Sequence, residues 1–273
     1  MSTKLYNGTA ADHNIATAGN WAGGVAPVSG DGIVFPAMAS AAGVNINGSD
    51  LSAVLLASTV IEAGCYVAFG SRTAYLHLDT DYLTYQGQAY AFLQIDNSTE
   101  VRLYNGVNAG SGYSFGMQII GANNALLVID TANGNSVGVA AGGGETAGFT
   151  TVDIHSGSVT IGSGATVTTL AVSGGVVECA CNSTTLSVDG GNHTQESGHP
   201  TTLNINGGRV YYNSTDAPTT INCNGGVLDF SSDGRAKAWA GTTINLQGGT
   251  VYDPGNVLSG FTLGKKGGTL QNS

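Results

Sequence analysis

Charged side chains are scarce in this chain: they make up 10% of its 273 residues, and only eight are Lys or Arg. An average soluble domain carries roughly a quarter. The basic residues, Lys4, Arg72, Arg102, Arg209, Arg235, Lys237, Lys265 and Lys266, form no stripe, and 18 acidic residues leave a net charge of −10. Nucleic-acid binding is therefore not expected, since it needs clustered positive charge. Proline is also rare, at 5 residues. No run approaches the ~18 consecutive apolar residues that span a bilayer. The opening residues lack the basic region and apolar core of a signal peptide. The expectation is a chain made and folded in a cytoplasm, with no membrane partner.

Glycine is abundant, at 43 residues, and its placement is periodic. Gly-Gly pairs begin at 174, 190, 207, 225, 248 and 267, giving a period of 16 to 23 residues. Each is set in a phrase of the form Thr-Thr-φ-x-φ-x-Gly-Gly-x-φ-x-φ, with φ apolar, as in Thr168 to Cys179. A looser copy starts at Thr150, and a truncated one closes with Gly267-Gly268-Thr269-Leu270. Within each phrase apolar residues alternate with a period of two, which marks strands rather than helices. Leu170 and Val172, Leu186 and Val188, Leu203 and Ile205, Ile221 and Cys223, and Ile244 and Leu246 should share the inner face. Glycine provides the positive φ needed where two short strands meet sharply. One phrase thus reads as one coil, and a period of this length is that of a solenoid. The expected fold is all-β: a single-chain parallel β-helix, or β-solenoid, with coils about 4.8 Å apart.

The four cysteines agree with this picture. Cys179 and Cys223 fall on inward positions, Cys65 lies in a strand-like run, and Cys181 follows two residues after Cys179. Buried thiols are expected, with disulfides as the alternative. Cys179-x-Cys181 lacks the spacing of a zinc site.

Residues 37–148 carry the same grammar in worn form. Val44 to Gly48, Leu76 to Asp79, Leu93 to Asn97 and Leu127 to Asp130 each end a φ-x-φ strand at an Asn or Asp corner. Between Asp79 and Phe115 lie Tyr82, Tyr85, Tyr90, Phe92, Tyr104, Tyr113 and Phe115. They read either as bulky filler of a longer insertion or wider coil, or as an exposed binding face, since Tyr suits both settings. The second reading makes them candidate interface residues, together with Trp21. The expected division is a cap or arm at 1–36, irregular coils with an aromatic-rich insertion at 37–148, and regular repeats at 149–273.

A solenoid needs caps, because a bare terminal coil exposes its interior and its strand edges. The segment 14–36 suits that task, with Trp21 as a lid and Pro27 turning the chain into Ile33-Val34-Phe35. Its pattern, Asn20-Trp21-x-Gly23-Gly24-x-x-Pro27-x-x-Gly30-Asp31-x-Ile33-Val34-Phe35, resembles the opening of β-helical surface proteins of autotransporter-like bacterial proteins and of structural proteins of tailed bacteriophages. Gly32 interrupts the apolar run expected there. The resemblance covers this segment directly and the repeats only by type. It implies a protein on a particle or cell surface. Autotransporters need an export signal and a membrane barrel, so a phage virion is the branch it favours.

Chemistry finds little purchase. Glu178 and Asp229 fall in one outward column, but three coil steps place them roughly 14 Å apart, beyond the ~5–9.5 Å of a glycosidase pair. Asp79-x-Asp81, approached by Asp96, reads as a solvated corner, with weak calcium binding as the alternative. His193 and Gln195 replace apolar inward residues and predict a local polar network or a widened coil. The other histidines have no Ser or Cys partner in a recognisable motif. Adjacent Thr-Thr pairs should send successive side chains to opposite faces, making corner ladders rather than an ice-binding Thr-x-Thr array. No catalytic residue, metal or cofactor is expected.

The functional expectation is a capsid decoration or cement protein, on the capsid surface of a virion assembled in a host cytoplasm. Its partners would be the major capsid protein and further copies of itself, a trimer on local three-fold positions being one arrangement. A tail fibre or spike, or a surface adhesin that binds host glycans, is the alternative. Tailspikes carry an anchoring domain before the β-helix, and a cap motif starting at residue 14 leaves no room for one.

Overall fold

In a computed structural model the chain winds into a parallel β-solenoid of about ten turns. The structure describes residues 2–10, 12–38, 45–46, 50–104, 115–131 and 136–272. The sequence-predicted strand at Val44 to Gly48 is described only at Asn45–Ile46, and Tyr113 lies outside the described residues.

Two parallel ladders run the length of the coil stack. The first includes Thr3–Leu5, Gly32–Phe35, Ser58–Ile61, Tyr82–Tyr85 and Glu100–Tyr104. It continues through Ala147–Ser156, Ala165–Val172, Asn182–Val188, Pro200–Ile205, Thr220–Cys223, Thr243–Leu246 and Thr262–Lys265. The second ladder includes Ser158–Ile161, Val176–Cys179, Asn192–Gln195, Arg209–Tyr212, Val227–Asp229, Thr250–Tyr252 and Thr269–Gln271. Parallel strands in register place like residues above one another, so the period-two alternation becomes continuous inner columns. One column is Val152, Leu170, Leu186, Leu203, Ile221, Ile244 and Leu263. The next is Ile154, Val172, Val188, Ile205, Cys223, Leu246 and Lys265. Every inward residue predicted from the phrase is buried.

The Gly-Gly pairs serve two separate needs. At the first glycine, a carbonyl of the preceding coil stacks where a Cβ would stand, as Asp189 O does at Gly207. At the second, the backbone turns left-handed: Gly208 has φ +62°, and a Cβ there would meet Gly191 O at 2.5 Å. Outside, amides stack as the coils do. Asn222 Nδ2 donates to Asn204 Oδ1 at 2.8 Å, and Asn245 Nδ2 donates to Asn222 Oδ1 at 2.9 Å.

The Thr column behaves otherwise than predicted. Thr151, Thr169, Thr185, Thr202, Thr220, Thr243 and Thr262 stack on the outer face. Their predecessors Thr150, Thr168, Thr184, Thr201 and Thr219 are exposed, not turned inward. The register explains this: Val167 pairs with Ser183 and Thr169 with Thr185, while Thr168 and Thr184 lie between at a bend, where strict alternation lapses.

The longest interval, 225 to 248, accommodates an insertion over Phe230 to Gly241. Trp239 packs edge-on against Tyr212 at 5.1 Å and meets Phe230 at 5.6 Å. Lys237 is buried, and its Nζ donates to Ser214 O at 3.1 Å and Asp233 Oδ2 at 2.8 Å.

The two ends differ. At the N-terminal end Trp21 lies buried over the first coil, and its Nε1 donates to Ile15 O at 2.7 Å. An antiparallel bridge between Tyr6 and Trp21, with Ala22 N donating to Leu5 O at 2.8 Å, covers the outer edge of Thr3–Leu5. From here an aromatic chain runs through successive contacts: Tyr6–Phe35 at 5.0 Å, Phe35–Phe69 at 5.0 Å and Phe69–Tyr85 at 6.3 Å. At the other end Thr262–Lys265 is exposed throughout, and Lys265 brings a charge to an otherwise apolar inner column.

Two substitutions test these assignments. Trp21→Ala removes a fully packed ring and should lower unfolding free energy by roughly 3–5 kcal/mol in urea titration; an unchanged midpoint would deny it the role of lid. Gly208→Ala should cost more than about 1 kcal/mol in the same assay, because both its φ and its neighbouring carbonyl exclude a side chain.

Candidate interaction surfaces and a buried polar cluster

The described candidate interface residues separate into three groups. Trp21, Tyr85 and Phe92 are buried and cannot meet a partner from the surface. Tyr85 ends the aromatic chain, and its hydroxyl donates to Ala89 O at 2.6 Å; burial raises its pKa well above the ordinary phenol value. Phe92 packs edge-on against Tyr75 at 5.7 Å and Tyr90 at 6.1 Å. Trp21 and Tyr85 belong to the core cluster and act as filler there, whereas Phe92 is buried among neighbouring rings outside that cluster. Tyr90, Tyr104 and Phe115 are half-buried, with Arg102 Nη1 donating to Tyr104 Oη at 2.9 Å. Tyr82 is exposed.

Tyr82 belongs to a wider apolar surface that the sequence did not single out. Among the described residues, six of the eight large hydrophobic side chains with high exposure lie at or before Tyr82. They include Leu5 at 44%, Val28 at 60%, Leu55 at 48% and Tyr82 at 50%. Register makes them neighbours. Leu5, Val34 and Val60 form one outer column, and Gly32, Ser58 and Tyr82 lie in the column beside it. The corner carrying Val28 and Leu55 adjoins, tied by Gly30 N donating to Leu55 O at 2.9 Å and Asp81 N to Leu56 O at 2.9 Å. In the later coils the same face carries the Thr column and the Asn ladder instead.

The acidic corner is a hydrogen-bonded group. Asp79 and Asp96 are register neighbours, and His77 Nε2 lies 2.7 Å from Asp96 Oδ2. Burial, then the charge of Asp96, raises the Asp79 pKa. Burial opposes ionisation of Asp96 as well, but hydrogen bonds from Gln94, the Ala122 amide and His77 outweigh it and lower its pKa. Among the described residues no group of three or more His, Cys, Asp or Glu is arranged to hold a metal ion. Glu178, Thr194, Tyr211 and Asp229 do form one column, as predicted, and Tyr252 extends it. Asp229, however, is buried: it ion-pairs with Arg209 and accepts from Ser231 N at 2.7 Å.

One interior cluster departs from the apolar columns. His193 stands between Val177 and Val210, and Gln195 between Cys179 and Tyr212. His193 Nε2 donates to Gln195 Oε1 at 3.1 Å, in the tautomer that this acceptor requires. Gln195 Nε2 donates to Cys181 O at 3.0 Å and Ser197 O at 2.8 Å. The coil thus carries the polar network that the sequence predicted. His193 Nδ1 has no hydrogen-bond partner, which suits a neutral imidazole. All four cysteines are free and buried.

No family model matches this chain, and no curated protein or solved structure shows significant similarity to it.

Burial lowers the His193 pKa to about 4, against a weaker opposing effect of Gln195. The unfolded chain therefore binds this proton near pH 6.5 and the folded chain only near pH 4. Stability is unaffected above that window and is lost as pH falls through it, by roughly 3 kcal/mol. Urea unfolding from pH 7 to pH 4 should show this slope, and His193→Leu should flatten it, whatever the baseline cost of leaving Gln195 Oε1 unpaired.

Proposed function

We propose that this protein is a non-catalytic structural component of a tailed-phage particle, a capsid decoration protein that attaches through the outer face of its first coils. The observation that carries this reading is the apolar surface around Leu5, Val34, Val60 and Tyr82, flanked by Val28 and Leu55, on a chain whose later coils show Thr and Asn on the same face. Exposed apolar area concentrated in one place marks an interaction site. The coil stack behind it is a stiff mount, held by a continuous core and by amide ladders. Many copies, each bridging neighbouring shell subunits with modest energy, would raise the temperature at which a shell ruptures. The N-terminal motif points to the same class of surface protein. The partners on this reading are the major capsid protein and, across the shell, further copies of this chain.

A glycan-binding fibre is favoured by a different observation. Tyr211 and Tyr252 stand half-exposed on either side of Asp229 on the second sheet, with the Arg209 guanidinium 5.6 Å from the Tyr211 ring centre. Aromatic rings spaced along one face suit sugar stacking.

Add-back to particles lacking the protein separates the two. The double variant Leu5→Glu/Tyr82→Glu alters only exposed side chains, so it should fold normally yet bind particles at least about tenfold more weakly. Particles without the protein should release genome at a lower temperature and adsorb to cells normally. Full occupancy by the double variant would remove the apolar face as the attachment site. Normal thermal stability with lost adsorption would replace decoration by the fibre reading.

A further inference from the structure

Cys179 closes the strand Val176–Cys179, and Cys181 lies just beyond it at the corner of the same coil. Their Sγ atoms are 2.9 Å apart, on the way to the ~2.05 Å of a disulfide bond. The surroundings hold this approach in place. The Cys181 N–H points at Cys179 Sγ across 3.4 Å, and Gln195 of the next coil anchors the Cys181 carbonyl at 3.0 Å. Cys179 also lines a surface cavity of about 290 Å³, together with Gly142, Gly162, Glu178 and Ala180. An oxidant of one or two heavy atoms fits such a space. The other two thiols have no such arrangement: Cys65 is buried elsewhere, and Cys223 Sγ donates to the carbonyls of Gly225 and Thr250, at 3.6 and 3.8 Å.

We propose that Cys179 and Cys181 form an oxidation site, a buried dithiol that a hydroperoxide converts to an intrachain disulfide and a thiol reductant restores. The roles of the two sulfurs follow from their settings. The hydrogen bond from the Cys181 thiol, followed by those from the Cys181 amide and Gln195, holds the Cys179 pKa below the ordinary thiol value despite burial. The same hydrogen bond, together with burial, pushes the Cys181 pKa well up. Cys179 is thus the attacking thiolate and Cys181 the resolving thiol. The Cys179 sulfur attacks one oxygen of the peroxide, the O–O bond breaks, and the departing oxygen leaves as water after taking a proton. Cys179 then carries a sulfenic acid. The Cys181 sulfur attacks the Cys179 sulfur, the S–S bond forms, and the sulfenic oxygen leaves as a second water with the Cys181 proton. In sum, two thiols and one hydrogen peroxide give one disulfide and two waters. The sulfurs lose two electrons and the peroxide gains them. Because the closed loop is so short, the bridge constrains the unfolded chain little. Its effect is local, locking the corner beside the His193–Gln195 pair. The site stands on this geometry alone and holds whatever the protein attaches to.

The test uses the purified chain, reduced and then treated with hydrogen peroxide, followed by iodoacetamide labelling and peptide mapping by mass spectrometry. The peptide containing both residues should lose two hydrogens and resist labelling until dithiothreitol is added. It should react at least about tenfold faster than Cys65 and Cys223, whose thiol pKa values burial raises with no hydrogen-bonding thiol to offset it. Cys181→Ser should stop at a sulfenic acid on Cys179 that dimedone traps, and Cys179→Ser should give no trapped adduct at Cys181. If either variant fails to fold, the map of the unaltered chain decides. Labelling of both sulfurs after peroxide treatment, oxidation confined to Cys65 or Cys223, or coupling of Cys179 to a second chain would each overturn the proposal.

Discussion

Everything in this molecule follows from the in-register stacking of parallel coils at one strand spacing. Backbone hydrogen bonds fix each residue directly above its counterpart in the preceding coil, so any choice at one position is imposed on a whole column. An apolar column extends without a break only if every coil supplies a residue of the right kind, as Leu170, Leu186, Leu203, Ile221 and Ile244 do. The constraint also acts outside, where Asn side chains recur because each amide donates to one neighbour and accepts from the other. At the corners it produces the glycine pairs, since a carbonyl of one coil lies where the next would place a Cβ.

A stack of this kind has two vulnerable ends, and the chain treats them differently. The first coils are filled by rings from Tyr6 to Tyr85, and among the described residues they carry the largest share of exposed large apolar side chains. The last coil interrupts its inner column with Lys265. Aromatic filling and the proposed attachment surface therefore lie together in the first coils, while the regular repeats supply length.

Departures from column grammar are informative because they cost stability locally. His193 and Gln195 occupy positions that hold Val, Cys or Tyr in adjoining coils, and Cys181 stands beside them. The histidine is kept neutral and its amide partner is fully bonded, so the network is accommodated at neutral pH and becomes a liability in acid. The thiol pair adjoins the same network. Lys237, buried and bonded to Asp233 and the Ser214 carbonyl, is a comparable departure that fastens the longest insertion to the stack.

The sequence by itself determined the class of fold, the coils and the inner columns, because period-two alternation between glycine corners assigns each side chain to a face without reference to distant residues. It also marked the His193–Gln195 break, which violates a visible pattern. Only the tertiary structure decided which aromatics fill and which are exposed. Tyr82 and Tyr85 differ by three positions and so point to opposite faces, but which of the two faces the core depends on a register set by loops with no periodic signal. The corners were likewise illegible: Thr168 and its equivalents escape alternation at a bend, and Asp229 occupies an outward column yet turns back onto Ser231 N and Arg209. The apolar surface of Leu5, Val28, Leu55 and Tyr82 is assembled from separate coils, and residues far apart in sequence become one surface only when the stacking register is known.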